Sequence, residues 1–223
     1  MYRCGFAAKD DEPISHHLQT VKQAVENILA VFPDAPSYRF FITGKHNFRE
    51  HLATILPYKG NRLDQRRPLY YKEIREFMVD RYGAEVIDGM EADDALGMTQ
   101  WAANDKSTCI VSIDKDLDMI PGWHYNFVKK RPYWVTLNDA NVSLFRQMIT
   151  GDRTDNIPGI TGLGEVKAQK IVDECGGDLV RLKNTVLDLY TKQYGEKGQE
   201  AFDEVASLLW ILRTDKCNWR NHV

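Results

Sequence analysis

Short β-rich runs alternate with helix-periodic segments along the first 137 residues, and beyond about residue 138 only helical periodicity remains. Leu18, Val21, Val25, Ile28, Leu29 and Phe32 recur at helical spacing ahead of Pro33, so 16–32 reads as a helix. YRFFIT, 38–43, reads as a buried strand. RRPLYYKEIREFMVDRYG, 66–83, reads as a helix with Pro68 near its start and Gly83 at its stop. AEVID follows as a short strand, 91–105 reads as a helix, and STCIVSID, 107–114, is a β-rich run too short to prefer a helix. HYNFV and YWVTL, between 124 and 137, suit either further strands or a hairpin, with no readable order in the sheet. Such alternation implies an α/β fold whose mostly parallel sheet is flanked by helices. The helical remainder is expected to form a subdomain, with a boundary between 138 and 150 that divides the chain into 1–145 and 146–223.

The bulk properties exclude several classes. With 223 residues, 43% hydrophobic and 27% charged, the chain can bury a sizeable core and is not broadly disordered. A net charge of -3 offers no global basic field, so an anionic partner would have to be held by a local patch. Cys4, Cys109, Cys175 and Cys217 lie far apart with no CxxC pair, which suggests neither a zinc site nor a disulfide framework and fits a reducing cytoplasm. The start, MYRCGFAAKDDE, does not read as a signal peptide, and no stretch approaches membrane-spanning length. The histidines show no ligand or triad spacing and are expected to be structural or on the surface.

Three acidic clusters stand at the ends of expected elements: Glu91, Asp93 and Asp94 in MEADDAL, Asp114, Asp116 and Asp118 in SIDKDLD, and Asp152 and Asp155 in GDRTDN. Asp114 and Asp116 leave the carboxyl end of the CIVSI strand, where ligand sites form in parallel sheets. Glu91 and Asp94, three apart, are expected to share a helix face from which Asp93 turns away. So many carboxylates in one cleft call for divalent cations, and an all-oxygen set suits Mg²⁺ or Mn²⁺. Two such ions can stabilise the attacking and leaving oxygens of phosphodiester hydrolysis. Any one cluster taken alone also fits plain roles, because acids favour helix N-termini and Asp makes Asx-turns.

Two stretches suit phosphate. In PGITGLGEVKAQKI, Gly162 and Gly164 bracket Leu163 and can present amides at a helix start, with Lys167 and Lys170 on that helix. YKGNRLDQRRPLYYKEIR sets six cations, Lys59, Arg62, Arg66, Arg67, Lys72 and Arg75, against Asp64 and Glu73, with Tyr58, Tyr70 and Tyr71 interleaved. Cations on phosphates with aromatics on unpaired bases suit single-stranded or frayed ends, while a solvated helix face with core tyrosines is the plainer alternative.

FREHLATILPYKGNR, MEADDALG, VSIDKDLDMI and GDRTDNIPGITGLGEVKAQKI together resemble, in order and over almost the whole chain, the motif series of the 5′ nucleases. That family includes bacteriophage 5′-3′ exonucleases, the nuclease domain of bacterial DNA polymerase I and flap endonucleases. The resemblance implies a PIN-like α/β nuclease domain followed by a helix-hairpin-helix module, called helix-three-turn-helix in this family. The implied activity is metal-dependent 5′-3′ exonuclease and 5′-flap endonuclease cleavage of DNA, with two Mg²⁺ ions, in replication or repair. By motif, Glu91, Asp93, Asp94 and Asp114 match residues around a first metal, and Asp116, Asp152 and Asp155 those around a second. Lys59 and Arg62 match the basic residues that hold the scissile phosphate, and Gly162, Leu163 and Gly164 match a turn whose carbonyls often hold K⁺. Tyr58, Arg66, Arg67, Lys167 and Lys170 complete the expected DNA contacts, and a soluble monomer, in the host cytoplasm if phage-encoded, is the expectation.

Two departures qualify the match. The family's first strand carries a metal-site Asp ahead of a segment like YRCGFAA, whereas here Met1 lies within that segment, and Thr43 stands where many relatives place Asp. A DNA junction-binding protein with weak or no cleavage is therefore the alternative expectation. A PIN-like ribonuclease is a third, against which GITGLGEVKAQKI argues, since such enzymes generally lack that module.

Overall fold

The computed structural model describes residues 6, 11–62, 66–103, 107–215 and 218–223. The expectation about the segment around YRCGFAA, and those about Cys4 and Cys217, fall outside the described residues. Helix α1 (Ile14–Leu29) buries His17, Val21 and Val25 and leads to strand β1 (Phe41–Asn47). A single helical turn, α2 (Arg49–Leu52), follows, and then α3 (Tyr71–Tyr82), which Gly83 closes in the left-handed region at φ 63°. Strand β2 (Glu85–Gly89), helix α4 (Ala92–Ala103) and strand β3 (Cys109–Val111) continue the alternation.

Two small sheets result among the described residues. In one, β1 runs parallel to β2, with Phe41 opposite Glu85 and Thr43 opposite Ile87, and an irregularity before Asn47 meets Gly89. In the other, β3 lies parallel to β4 (Gly122–Asn126), which pairs antiparallel with β5 (Arg131–Val135). The two aromatic-rich runs that admitted two readings thus form a hairpin on a mostly parallel α/β framework. β1 starts and ends later than YRFFIT suggested, because Phe41 to Thr43 pair with β2, the register then shifts across the polar Gly44-Lys45-His46 stretch, and pairing resumes at Asn47. The helix expected from residue 66 starts at Tyr71, whose amide donates a hydrogen bond to the Pro68 carbonyl at 3.1 Å.

The C-terminal part is helical, as expected: α5 (Leu137–Thr150), α6 (Glu165–Cys175), α7 (Leu179–Tyr194) and α8 (Gly198–Leu209). Thr136 and Asp139 form a reciprocal capping box at the start of α5. Leu144, Phe145, Met148, Val186, Tyr190, Phe202 and Val205 form the largest core, which also takes in Tyr58 and Met119. A smaller core joins α1 to the first sheet through Val21, Val25, Ile42, Ile74 and Met78. A third places Ile211, beyond α8, against Ile110, Leu117 and Ile120. The segment after α8 therefore packs back on the α/β part. Among the described residues no helix is long and apolar enough to cross a membrane.

Candidate metal and phosphate site

Three strands deliver polar side chains at their carboxyl ends: Asn47 closes β1, Glu91 follows β2, and Asp114 follows β3. This is the edge at which parallel sheets bind ligands. Asp114 also caps the short 3₁₀ turn Lys115–Met119, accepting the amide of Asp116 at 3.1 Å. The last two acids come from the loop after α5, where Asp152 and Ile157 exchange backbone bonds of 2.9 and 2.8 Å. Within that loop Asp152 accepts the amides of Thr154 at 2.7 Å and Asp155 at 3.2 Å.

The acid loop is fastened to the YKGNR segment by backbone-directed bonds. The Lys59 amide donates to the Asp155 carbonyl at 2.8 Å, Asn61 to that of Arg153 at 2.6 Å, and Arg62 to that of Thr154 at 2.9 Å. Asn156 returns a bond to the Pro57 carbonyl at 2.9 Å. Lys59 pairs with Glu91 and lies 3.5 Å from Asp155, and Arg62 pairs with the other oxygen of Asp155. On the opposite flank the Gln147 amide donates to Asp116 at 3.1 Å and to Asp152 at 3.4 Å.

The electrostatics of this cleft are those of crowded anions. Burial, then the charges of Asp114, Glu91 and Asp94, push the Asp93 carboxyl up to about 7, with Lys59 opposing. Burial, then Asp114 and Asp152, raise Asp116 likewise to about 7 against Lys115 and the Gln147 bond. Among the described residues no set of three or more His, Cys, Asp or Glu side chains is arranged, as it stands, to hold a metal ion. Instead Lys59 and Arg62 supply the positive charge between Glu91 and Asp155. The donor set still suits a hard cation, since it is all carboxylate oxygen and two of its members are pushed toward the neutral form by burial and then by their neighbours' charges.

Several sequence expectations need correcting. Asp94 accepts the Glu91 amide at 3.0 Å, as the shared face implied, but Asp93 does not turn away from the acids, since burial and the charges of Asp114 and Glu91 act on its carboxyl. Asp94 is fully buried, and Arg49 takes both its oxygens at 2.7 and 2.8 Å. Tyr58 is 8% exposed within the main core and donates its hydroxyl to Asp155 at 2.8 Å, so its ring is not free to stack on a base. Thr43, in the place of an expected Asp, accepts the amide of Ala92 at 3.0 Å and so anchors the start of α4 beside Glu91.

The remaining expected contacts lie along the adjoining surface. Arg66 and Arg67 are exposed, and the Arg67 guanidinium lies 5.4 Å from the Tyr71 ring centre, with Arg75 at 5.8 Å. Gly162 sits at φ 78°, a conformation that L side chains adopt at a cost, and nothing approaches the position of a Cβ there. Gly164 is the N-cap of α6 and Leu163 packs against the core. Gln193 fixes the turn from behind, accepting the Thr161 amide at 2.7 Å and donating to the Gly159 carbonyl at 3.2 Å. Lys167 folds back to donate to the Gly162 carbonyl at 2.8 Å, and exposed Lys170 lies 3.8 Å from Glu174. A cleft of about 580 Å³ runs from Asp152 and Asn156 to the Gly162 turn, joining acid loop and glycine turn.

Asn47, Arg49 and Gln147 were not singled out by the motif reading. The first two lie in FFITGKHNFR, whose hint was a run of polar residues closing a strand. Gln147, a neutral residue within a helical segment, gave no signal.

Comparison with known proteins agrees with this geometry. No family model matches the chain. The thermostable DNA polymerase I of Thermus aquaticus is 30% identical over 217 residues, covering 89% of this chain and 24% of that protein. DNA polymerase I of Bacillus caldotenax is 29% identical over 157 residues, covering 61% of this chain and 17% of that protein. The chain thus spans about a quarter or less of these relatives' length. Among solved structures, the flap endonuclease of bacteriophage T5, in a pseudo-enzyme-product complex with DNA and metal ions, superposes with a TM-score of 0.56 at 19% identity. That match covers 92% of this chain and 95% of the phage protein. The motif series, the sequence relatives and the shared architecture converge on one conclusion: the chain has the fold of the 5′-3′ exonuclease and flap endonuclease family.

Proposed function

We propose that the protein is a metal-dependent nuclease that hydrolyses DNA phosphodiesters at 5′ ends and 5′ flaps, in replication or repair. The observation that carries this reading is the meeting of the YKGNR cations with the acids, Lys59 with Glu91 and Arg62 with Asp155, on a loop whose Asp152 also lines the cleft leading to the Gly162 turn. Glu91, Asp93 and Asp114 would hold one divalent ion, and Asp116 and Asp152, with Asp155, a second. Mg²⁺ is the expected ion, with Mn²⁺ able to replace it. Bound there, the ions would supply positive charge for the attacking and leaving oxygens.

The chain's own residues account for the rest. Lys59 and Arg62 neutralise Glu91 and Asp155 and are placed to turn to a scissile phosphate once cations take up the carboxylates. Amides at the start of α6, with exposed Lys170, grip duplex phosphates, and Arg66 and Arg67 contact the strand leaving the site. A K⁺ at the turn would compete with the Lys167 ammonium for the Gly162 carbonyl. Residues 1–145 carry the chemistry and 146–223 the duplex grip, and a monomer suffices for both.

The test is incubation with 5′-flap duplex, single-stranded DNA and RNA, with Mg²⁺ or with chelator. Mg²⁺-dependent release of 5′-phosphorylated DNA products is expected, lost in Asp114→Asn while flap binding persists. Flap binding without cleavage at any Mg²⁺ concentration would instead support a junction-binding protein.

A further inference from the structure

Asp94 has no free oxygen to offer an ion. Its Oδ1 accepts from Arg49 at 2.8 Å and from the Leu212 amide at 3.0 Å. Its Oδ2 accepts from Arg49 at 2.7 Å and from the Glu91 amide at 3.0 Å. Arg49 is equally committed. Beyond Asp94 its guanidinium donates to the carbonyls of Leu208 at 2.9 Å and Trp210 at 2.5 Å, and its side chain is 3% exposed. Burial works against the charge of Arg49, and the Asp94 bonds outweigh it, so the guanidinium pKa is raised.

These bonds close into a ring through Asn47. The Arg49 amide donates to Asn47 Oδ1 at 3.0 Å, Asn47 Nδ2 donates to Glu91 Oε1 at 2.9 Å, and the Glu91 amide returns to Asp94. Glu91 is thus gripped at its backbone by Asp94 and at its carboxylate by Asn47. Both grips are braced by one buried arginine, which also ties down the segment after α8. Partners that orient a metal ligand in this way typically change metal affinity 10- to 100-fold when removed.

We infer that Asn47, Arg49 and Asp94 are positioning residues that aim Glu91, and that Asp94 is not itself a metal ligand. The same ring makes the segment 208–212 part of the active-site scaffold, so the chain end contributes to the site without touching substrate. The inference rests on the nuclease reading of the preceding section.

The test uses the full chain and Mn²⁺ alone, followed by electron paramagnetic resonance of free ion, with melting temperature measured beside it. In Asn47→Ala, which leaves the Arg49–Asp94 pair intact, Mn²⁺ affinity at one site is expected to fall about tenfold. With flap DNA, kcat should fall while KM stays, and the melting temperature should hardly move. The double variant Arg49→Met/Asp94→Leu should still bind as many Mn²⁺ ions as the wild type, though more weakly. Unchanged Mn²⁺ affinity in Asn47→Ala, or one ion fewer in the double variant, overturns the inference. Absence of Mn²⁺ binding by the wild-type protein overturns the nuclease reading and this inference with it.

Discussion

Replacing Arg49 by Met removes a cation that the fold has buried and leaves its partner in place. Asp94 is 0% exposed, so water cannot compensate its charge, and after the substitution it keeps only the amides of Glu91 and Leu212. The carbonyls of Leu208 and Trp210 lose their donor at the same time. Removing one partner of a buried pair costs about 3–5 kcal/mol, because the surviving charge is uncompensated. At this chain length about 4 kcal/mol corresponds to a fall in melting temperature of roughly 10 °C. Removing the second charge as well, in Arg49→Met/Asp94→Leu, takes away the largest part of that penalty, and the double variant should recover at least about 2 kcal/mol relative to the single one. Urea unfolding in chelator, so that no metal contributes, measures both variants and the Asp94→Leu single needed to close the cycle. Additive losses, or a single-variant loss below about 1 kcal/mol, would show that the pair is not coupled as the geometry requires.

Three further outcomes follow from other parts of the structure. Gly159→Ala would place a Cβ 2.3 Å from the Thr150 backbone and 2.4 Å from the Gly151 amide, so it should cost about 3 kcal/mol in urea unfolding; a loss below about 1 kcal/mol would contradict the close approach that joins α5 to the acid loop. Lys167→Ala should weaken duplex binding and reduce the slope of log affinity against log salt by about 1, and an unchanged slope would place Lys167 off the phosphate path. Burial holds the His124 imidazole below its ordinary value of 6.5, so the unfolded chain takes up a proton before the native one as pH falls. Its contribution to stability is therefore complete above about 6.5 and lost on descending through the folded-state value, and urea midpoints of His124→Phe should fall less steeply below pH 6.5 than those of the wild type; parallel curves would refute this.

The elements were legible where burial and hydrophobic spacing coincide. Val21 and Val25 marked α1, Ile74 and Met78 marked α3, and both pairs form the core that the spacing implied. The end of β1 was hidden because pairing with β2 resumes at Asn47 only after a break that includes His46 at φ 60°, and Gly44 to His46 carry no apolar signal. Acid clusters were visible because carboxylates at the ends of elements are conspicuous in sequence. That Asp94 spends both its oxygens on Arg49 was not, since that partner lies 45 residues away.

The residues that hold the site in place were hidden for a deeper reason. Arg49 acquires its role from Asp94, 45 residues away, and from the Leu208 carbonyl, 159 residues away, so nothing in its own neighbourhood distinguishes it from a solvated arginine. Gln147 likewise becomes part of the site only because α5 brings it between Asp116 and Asp152. Groups that would touch metal or phosphate declare themselves by charge and spacing, because that chemistry restricts residue type. Groups that aim them are restricted only by having a donor or acceptor at one point of the folded chain. A motif series can therefore point to the reaction class while remaining silent about the ring around Glu91, and for the same reason Asp94, whose charge looks like a ligand's, is in the fold the counter-charge of Arg49.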